Sequence, residues 1–143
     1  MSRFLSVGGE AVWAINPADE VFVRVNLSKA EPRGKEWTKI DGSMKTVSVG
    51  PTGVCWAVDK KDTVWRRLGA KTTNPIGSKW QSVTGRLAHI SVGQAGVWGI
   101  SPKNEVIITT GEKHLEKLPK KIITIFLRHE ENRQFRGQEG IFL

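Results

Sequence analysis

One short motif occurs three times in this chain and constrains its fold more than any other feature. The tripeptide Ser-Val-Gly begins at Ser6, Ser48 and Ser91, so the copies are 42 and 43 residues apart. Each copy is followed by a tryptophan in an apolar run: Trp13, Trp56 and Trp98. A period of about 40 to 50 residues indicates an array of one supersecondary unit, and short strands at that period are typical of a propeller blade.

The second repeat, residues 45–87, is predicted to contain four short strands. They are Thr46–Val49, Val54–Val58, Thr63–Arg67 and Trp80–Val83. Alternating or β-branched apolar residues favour strands, and the glycines, proline and polar residues between them favour tight turns. We therefore expect an up-and-down antiparallel sheet. One extra residue between Gly50 and Trp56 predicts a wider first turn or a bulge in this repeat.

The same template predicts repeats throughout residues 1–127. Their approximate bounds are 3–44, 45–87 and 88–127. In the third repeat, Ile122–Leu127 is the predicted fourth strand, after a connecting loop that ends at Lys121. Residues 128–143 show no period and are expected to form a poorly ordered tail. The predicted fold class is all-β: a partial β-propeller of about three four-stranded antiparallel blades in an incomplete ring.

Composition narrows the class of protein. The net charge of +8 favours acidic surfaces as partners. Cys55 is the single cysteine, so no intrachain disulfide can form, and its apolar neighbours predict a buried, unreactive thiol. The N-terminal residues lack a leader pattern, and no apolar segment approaches the ~20 residues of a membrane span. We expect a cytoplasmic protein, with membrane association through charge as an option.

The repeated tryptophans are expected between the blades rather than at a ligand. We predict that the most buried residues include Val12, Trp13, Val54, Trp56, Val97 and Trp98. Trp37 and Trp80 also recur, 43 residues apart, and are assigned to packing. Trp65 is the exception because the other repeats have Phe22 and Ile107 at its position, so it is the candidate ligand contact among the indoles.

Two kinds of basic residue could serve binding. Lys60 and Lys61, in a hairpin connection, are the candidate contacts for an anionic surface, although a lysine pair is more often simply solvated. Arg24 and Arg67 recur at a strand end, where pairing with a neighbouring blade is favoured over an anion site.

No residue pattern points to catalysis. His89, His114 and His129 each lack a second metal-ligating neighbour. The sequence contains no Ser–His–Asp context and no phosphate-binding glycine loop. We therefore expect a protein that is not an enzyme and that has no metal site and no cofactor.

The repeat resembles the tectonin repeat. The resemblance is carried by Ser-Val-Gly, a turn, Val-Trp-Ala/Gly-Val/Ile and a strand that ends in arginine. It continues through Asn74–Trp80 and Gly85–Leu87 to Val97–Ile100, and covers roughly residues 3–109. It implies a β-propeller, in a family that includes tectonin β-propeller repeat proteins and related lectins.

The number of repeats departs from that expectation. Closed propellers have about four to eight blades, so three blades leave a strand edge and an apolar face exposed at each end. Either the chain is part of a longer tectonin protein, or two copies pair to complete a ring. In both cases we expect the isolated chain to self-associate, aggregate or be only marginally stable.

Two functions follow from the resemblance. The first is a non-catalytic adaptor or scaffold in intracellular membrane traffic or autophagy, with protein partners, acidic phospholipid as a further surface, and no nucleic acid. The alternative is a carbohydrate-binding lectin of innate defence, for which the partner is a glycan. The missing leader pattern and the missing disulfide pair favour the first function.

Overall fold

The computed structural model describes residues 3–109 and 115–117, and all of their regular structure is β-strand. The strands form three four-stranded antiparallel sheets. The first sheet contains β1 (Phe4–Gly8), β2 (Ala11–Ile15), β3 (Glu20–Arg24) and β4 (Trp37–Ser43). The second contains β5 (Thr46–Val49), β6 (Cys55–Val58), β7 (Thr63–Arg67) and β8 (Trp80–Arg86). The third contains β9 (His89–Val92), β10 (Val97–Ile100), β11 (Val106–Thr109) and β12 (Leu115–Lys117).

Strands lie in chain order within each sheet, so each sheet is one up-and-down blade. The three blades do not close into a ring, which confirms the predicted fold class. No helix in the described part of the chain is long and apolar enough to cross a membrane.

Successive blades are joined at their first strands by the repeated serine. The Oγ atom of Ser6 accepts a hydrogen bond from the backbone N–H of Val49 at 3.0 Å. The Oγ atom of Ser48 accepts the equivalent bond from Val92 at 2.9 Å. Each serine therefore fixes the register of the next blade against its own, and this explains why the motif recurs.

The glycine of the motif allows the same close approach. A Cβ atom placed on Gly8 would lie 2.6 Å from the carbonyl oxygen of Gly50 in the next blade. A Cβ atom on Gly50 would lie 2.8 Å from Cγ1 of Val92. Real Cβ atoms do not approach other atoms so closely, so only glycine permits this spacing between first strands.

Apolar side chains fill the two spaces between blades. Since side chains alternate along a strand, each blade has a leading face toward the preceding blade and a trailing face toward the next. The first cluster is Ala11, Trp13, Ile15, Val21, Val23, Ile40, Met44, Val47, Val49, Cys55, Ala57 and Ala70. The second cluster is Trp56, Val58, Val64, Val83, Leu87 and Val97. In the first cluster, the ring of Trp80 packs edge to face against the fully buried ring of Trp13, with ring centroids 5.9 Å apart.

The second and third strands of every blade are joined by the same hairpin. Its first residue is Asn16, Asp59 or Ser101. In each case the side-chain oxygen accepts backbone N–H groups two and four residues later, at 2.8 to 3.2 Å. Its fourth residue is Asp19, Asp62 or Asn104, with a φ of 62 to 64°. Asp and Asn tolerate this left-handed conformation better than most residues, so the hairpin depends on side-chain chemistry at two positions.

Several sequence-based expectations are corrected by the structure. Trp13, Trp56 and Val97 are buried, but Val12 is only half-buried. Val54 is exposed because it belongs to the turn before β6, where its carbonyl accepts a hydrogen bond from the N–H of Gly50 at 2.9 Å. This turn is the wider connection predicted for the second repeat. Trp98 is 45% exposed because no further blade covers it among the described residues.

The fourth strand of the third blade also differs from expectation. Leu115–Lys117 pairs with β11, although the sequence predicted a connecting loop there. The predicted strand Ile122–Leu127 and the predicted tail 128–143 lie outside the described residues.

Trp56 provides a test of this packing. Its side chain is 3% exposed in the second cluster, so Trp56→Ala should lower the free energy of unfolding by about 3–5 kcal/mol. Trp56→Phe retains an aromatic ring and should cost less. Urea unfolding followed by circular dichroism measures both. A soluble Trp56→Ala variant with an unchanged midpoint would contradict this packing.

Candidate functional site

The first strands of the three blades begin side by side and create a depression at the edge where they start. Its volume is about 360 Å³, and we call it the mouth. It is lined by Arg3, Phe4, Lys45, Thr46, Ala88 and His89. These are two consecutive positions taken from each repeat, so the repeat itself brings residues more than 80 positions apart into one site.

Two blades carry equivalent ion pairs at the mouth. Arg3 pairs with Asp19, and Lys45 pairs with Asp62. In the third blade the corresponding residues are Ala88 and Asn104, so both charges are replaced by neutral groups. The hairpin of each blade therefore supplies a carboxylate only where the first strand supplies a cation.

Asp19 is the most enclosed charged group of the site, with 2% of its side chain exposed. It binds Arg3 of its own blade and, at 2.9 Å, Nζ of Lys60 from the next blade. The hydrogen bond from Lys60 and the charge of Arg3 outweigh burial and hold the pKa of Asp19 below its ordinary value of 3.8. Asp19 thus links the first blade to the hairpin of the second.

The two candidate lysines have different surroundings. Lys60 keeps most of its side chain in solvent but directs its ammonium group to Asp19. Lys61 is exposed, and its backbone N–H binds the Oδ1 atom of Asp59 at 2.8 Å. Both lie on the hairpin beside the mouth, and Lys61 is the one whose side chain can be changed without disturbing a buried carboxylate.

Trp65 lies partly buried against the first apolar cluster. Its Nε1 atom donates a hydrogen bond to Oδ2 of Asp59 at 3.0 Å. Burial alone would raise the pKa of Asp59, but hydrogen bonds from Trp65 and from the backbone of Thr63 and Lys61 lower it. Trp65 therefore supports both the blade junction and the hairpin, and its role as a ligand contact stays a prediction.

The most exposed indoles are different ones. Trp37 and Trp98 are each 45% exposed. The sequence predicted a packing role for both because each recurs in the repeats: Trp98 matches Trp13 and Trp56, and Trp37 matches Trp80. Their place in the order of repeats could have identified them as exposed, because Trp37 belongs to the first blade and Trp98 to the third, and each of these blades has one face without a neighbouring blade among the described residues.

The repeated arginines bind within and between blades. Arg67 lies over the ring of Trp80, 5.2 Å from its centroid, and its Nε donates to the carbonyl of Ile76 at 2.8 Å. Its Nη1 pairs with Asp41 of the preceding blade at 2.8 Å, which confirms the predicted inter-blade pairing. Arg24 repeats the stacking on Trp37 at 5.6 Å.

Potential sites of other chemistry are sparse in the described part of the chain. No group of three or more His, Cys, Asp or Glu side chains there could hold a metal ion. Cys55 is fully buried, and burial raises the pKa of its thiol. This agrees with the expected unreactive cysteine.

The stacked up-and-down blades define a protein of the β-propeller class. The family model of the tectonin domain matches residues 3–84, and the chain belongs to this family. No curated protein sequence matches the chain significantly.

Solved structures agree on the fold. The chain is similar to human WBSCR16, with a TM-score of 0.57 and 12% identity over 75% of this chain and 33% of that one. YCF48 from Cyanidioschyzon merolae gives a TM-score of 0.51 and 13% identity over 76% of this chain and 33% of that one. A structure of YCF48 bound to D1 peptide gives a TM-score of 0.50 and 15% identity over 81% of this chain and 39% of that one. The chain thus spans a third or slightly more of these β-propeller proteins.

The contribution of the ionised Asp19 carboxylate to the free energy of unfolding can be tested by varying the pH. Because its folded-state pKa is lowered, its stabilisation is complete above its ordinary pKa of 3.8 and is lost as the pH falls through the lowered value. Asp19→Asn should retain the left-handed backbone, as Asn104 does in the third hairpin. We expect the wild type to be the more stable at pH 7, with the difference shrinking below about pH 4.

Urea unfolding at both pH values measures this difference. Glu36→Gln, at an exposed position, is the control and should show no such trend. A stability difference between wild type and Asp19→Asn that does not change with pH would contradict the ion-pair assignment.

Proposed function

We propose that this chain is a non-catalytic binding module that acts as an adaptor in intracellular membrane traffic or autophagy, with the mouth and its adjacent hairpin as the binding surface. One observation supports this proposal above others. Arg3 and Lys45 of two successive blades line the mouth, and Lys60, next to Lys61 in the adjacent hairpin, pairs with Asp19 across the blade junction.

The charge of this surface favours an anionic partner. Asp19, Asp62 and Asp59 of the same hairpin balance three of its four cationic side chains, so one positive charge is left over, and the whole chain carries a net charge of +8. An acidic protein segment and an acidic phospholipid headgroup offer the same complement, namely several negative charges close together. A propeller with a bound peptide is known for YCF48, which shares the fold, and this makes a peptide segment a reasonable first partner.

The contact is tested by charge reversal at Lys61, which takes part in the hairpin through its backbone N–H and not through its ammonium group. Lys61→Glu should weaken binding to anionic vesicles at least about fivefold, since each basic residue near such a surface contributes about 1 kcal/mol. Lys79→Glu is the matched control because Lys79 is an exposed lysine of the same blade at the opposite end of the strands. Lys60 is unsuitable for reversal because its ammonium group holds buried Asp19.

Vesicle cosedimentation at low and physiological salt measures this effect, and binding should decrease as salt increases. Binding of an acidic peptide, measured by fluorescence anisotropy, separates a protein partner from a lipid partner. Equal loss of binding in Lys61→Glu and Lys79→Glu, or no loss in either, would contradict the proposed surface.

The lectin alternative is supported by the two half-exposed indoles, Trp37 and Trp98, because sugar rings stack on exposed aromatic faces. We expect no signal on a glycan array. Binding to a defined sugar that survives moderate salt, and is lost in Trp37→Ala with the fold intact, would replace the adaptor proposal with the lectin. Trp65→Ala is a poorer probe because Trp65 packs at a blade junction and binds Asp59.

A further inference from the structure

The leading face of the first blade and the trailing face of the third blade are the same two kinds of surface that pack together at both internal junctions of the chain. At each internal junction, a trailing face with serine, glycine and tryptophan receives a leading face with valines on its first strand. The first blade has no neighbour on its leading face, and the third blade has none on its trailing face among the described residues.

The leading face of the first blade is exposed where its equivalents are covered. Val7 is 66% exposed, whereas Val49, at the same position of the second blade, is 5% exposed. Leu5 is also exposed, while its equivalent Val47 is fully buried. The difference is the missing neighbour, because the sequence pattern and strand pairing are the same in both blades.

The trailing face of the third blade is likewise exposed where the trailing faces of the first two blades are covered. Trp98 is 45% exposed, whereas Trp13 and Trp56 are 0% and 3% exposed beneath the following blade. An apolar groove of about 270 Å³ runs beside it and includes Ser91, Ile100 and Val106. Ser91 holds the place from which Ser6 and Ser48 each accept a backbone N–H of the next blade.

Gly93 adds independent evidence that this face is built for a neighbour. At Gly8 and Gly50, an added Cβ atom would collide with the following blade. At Gly93 the nearest atom to such a Cβ would be the carbonyl oxygen of Gly96, at an ordinary 3.6 Å. Gly93 thus retains the side-chain-free surface of a junction at a place where the described chain makes no junction.

We propose that the occupant is a second copy of this chain, joined by two equivalent head-to-tail junctions into a six-bladed ring. The partner's Val7 donates its backbone N–H to Ser91, and its first strand covers Trp98. Every copy carries both halves of the contact, so a twofold axis satisfies all four open faces. Three blades are too few to close a ring and six lie within the range of closed propellers.

The test measures mass by sedimentation from about 1 to about 100 µM, a range in which weak and moderate associations populate both states. The wild type should reach twice its monomer mass of 15.9 kDa. Gly93→Ala should remain monomeric because the new Cβ meets the incoming strand, although the monomer has room for it. Val7→Asp should also remain monomeric because it places a carboxylate in an apolar contact. Gln94→Ala, in the adjacent exposed turn, is the control and should dimerise as the wild type does.

Mixing the two monomeric variants gives the sharpest result. The intact trailing face of Val7→Asp can receive the intact leading face of Gly93→Ala, so a one-to-one mixture should recover a dimer through one junction. Both variants should unfold at the wild-type midpoint at concentrations where the wild type is monomeric.

Three results would overturn the proposal. One is a wild type that stays monomeric throughout the concentration range. Another is a series of growing oligomers, which indicates an open filament or faces meant for other blades. The third is a dimer that persists in both variants, which places the contact elsewhere on the surface.

Discussion

The fold depends on how closely the first strands of neighbouring blades approach. A serine hydroxyl fixes their register through one hydrogen bond to the next backbone, and a glycine two residues later removes the side chain that would hold them apart. Once this spacing is set, the tryptophan of the second strand lies under the next blade, as Trp13 and Trp56 do. The starts of the first strands then meet at the mouth, so the same contact positions the apolar clusters and the charged surface.

The repeat predicted the blades because its residues act locally. Alternation in Thr46–Val49 and the apolar run in Cys55–Val58 are local patterns that favour strands, and both segments are strands. Burial was less predictable because it depends on neighbours. Trp98 has the sequence context of Trp13 but lies on an end face, and Val54 belongs to a turn that one extra residue has widened. Equivalent positions share a backbone conformation, but they share burial only where both have a neighbouring blade.

The charged site was only partly visible in the sequence. Lys60 and Lys61 were candidates, but the partner of Lys60 is Asp19 in another blade, and no local pattern indicates that pairing. A comparison of repeats could have revealed the mouth. Arg3 and Lys45 occur with Asp19 and Asp62, whereas the third repeat replaces cation and carboxylate together, with Ala88 and Asn104. Such joint replacement within one chain indicates contact between the two positions.

The hairpin between the second and third strands shows how much the residue type can change between repeats while the backbone stays the same. Asn16, Asp59 and Ser101 differ in charge and size, yet each supplies one oxygen to the same two backbone groups. The hairpin therefore requires an oxygen atom at this place, and three different residue types supply it in this chain. Repeats can diverge until their residues no longer align while their blades still stack. For such modules, a search for hydrogen-bonding function at each position will find relatives that a comparison of residue identity misses.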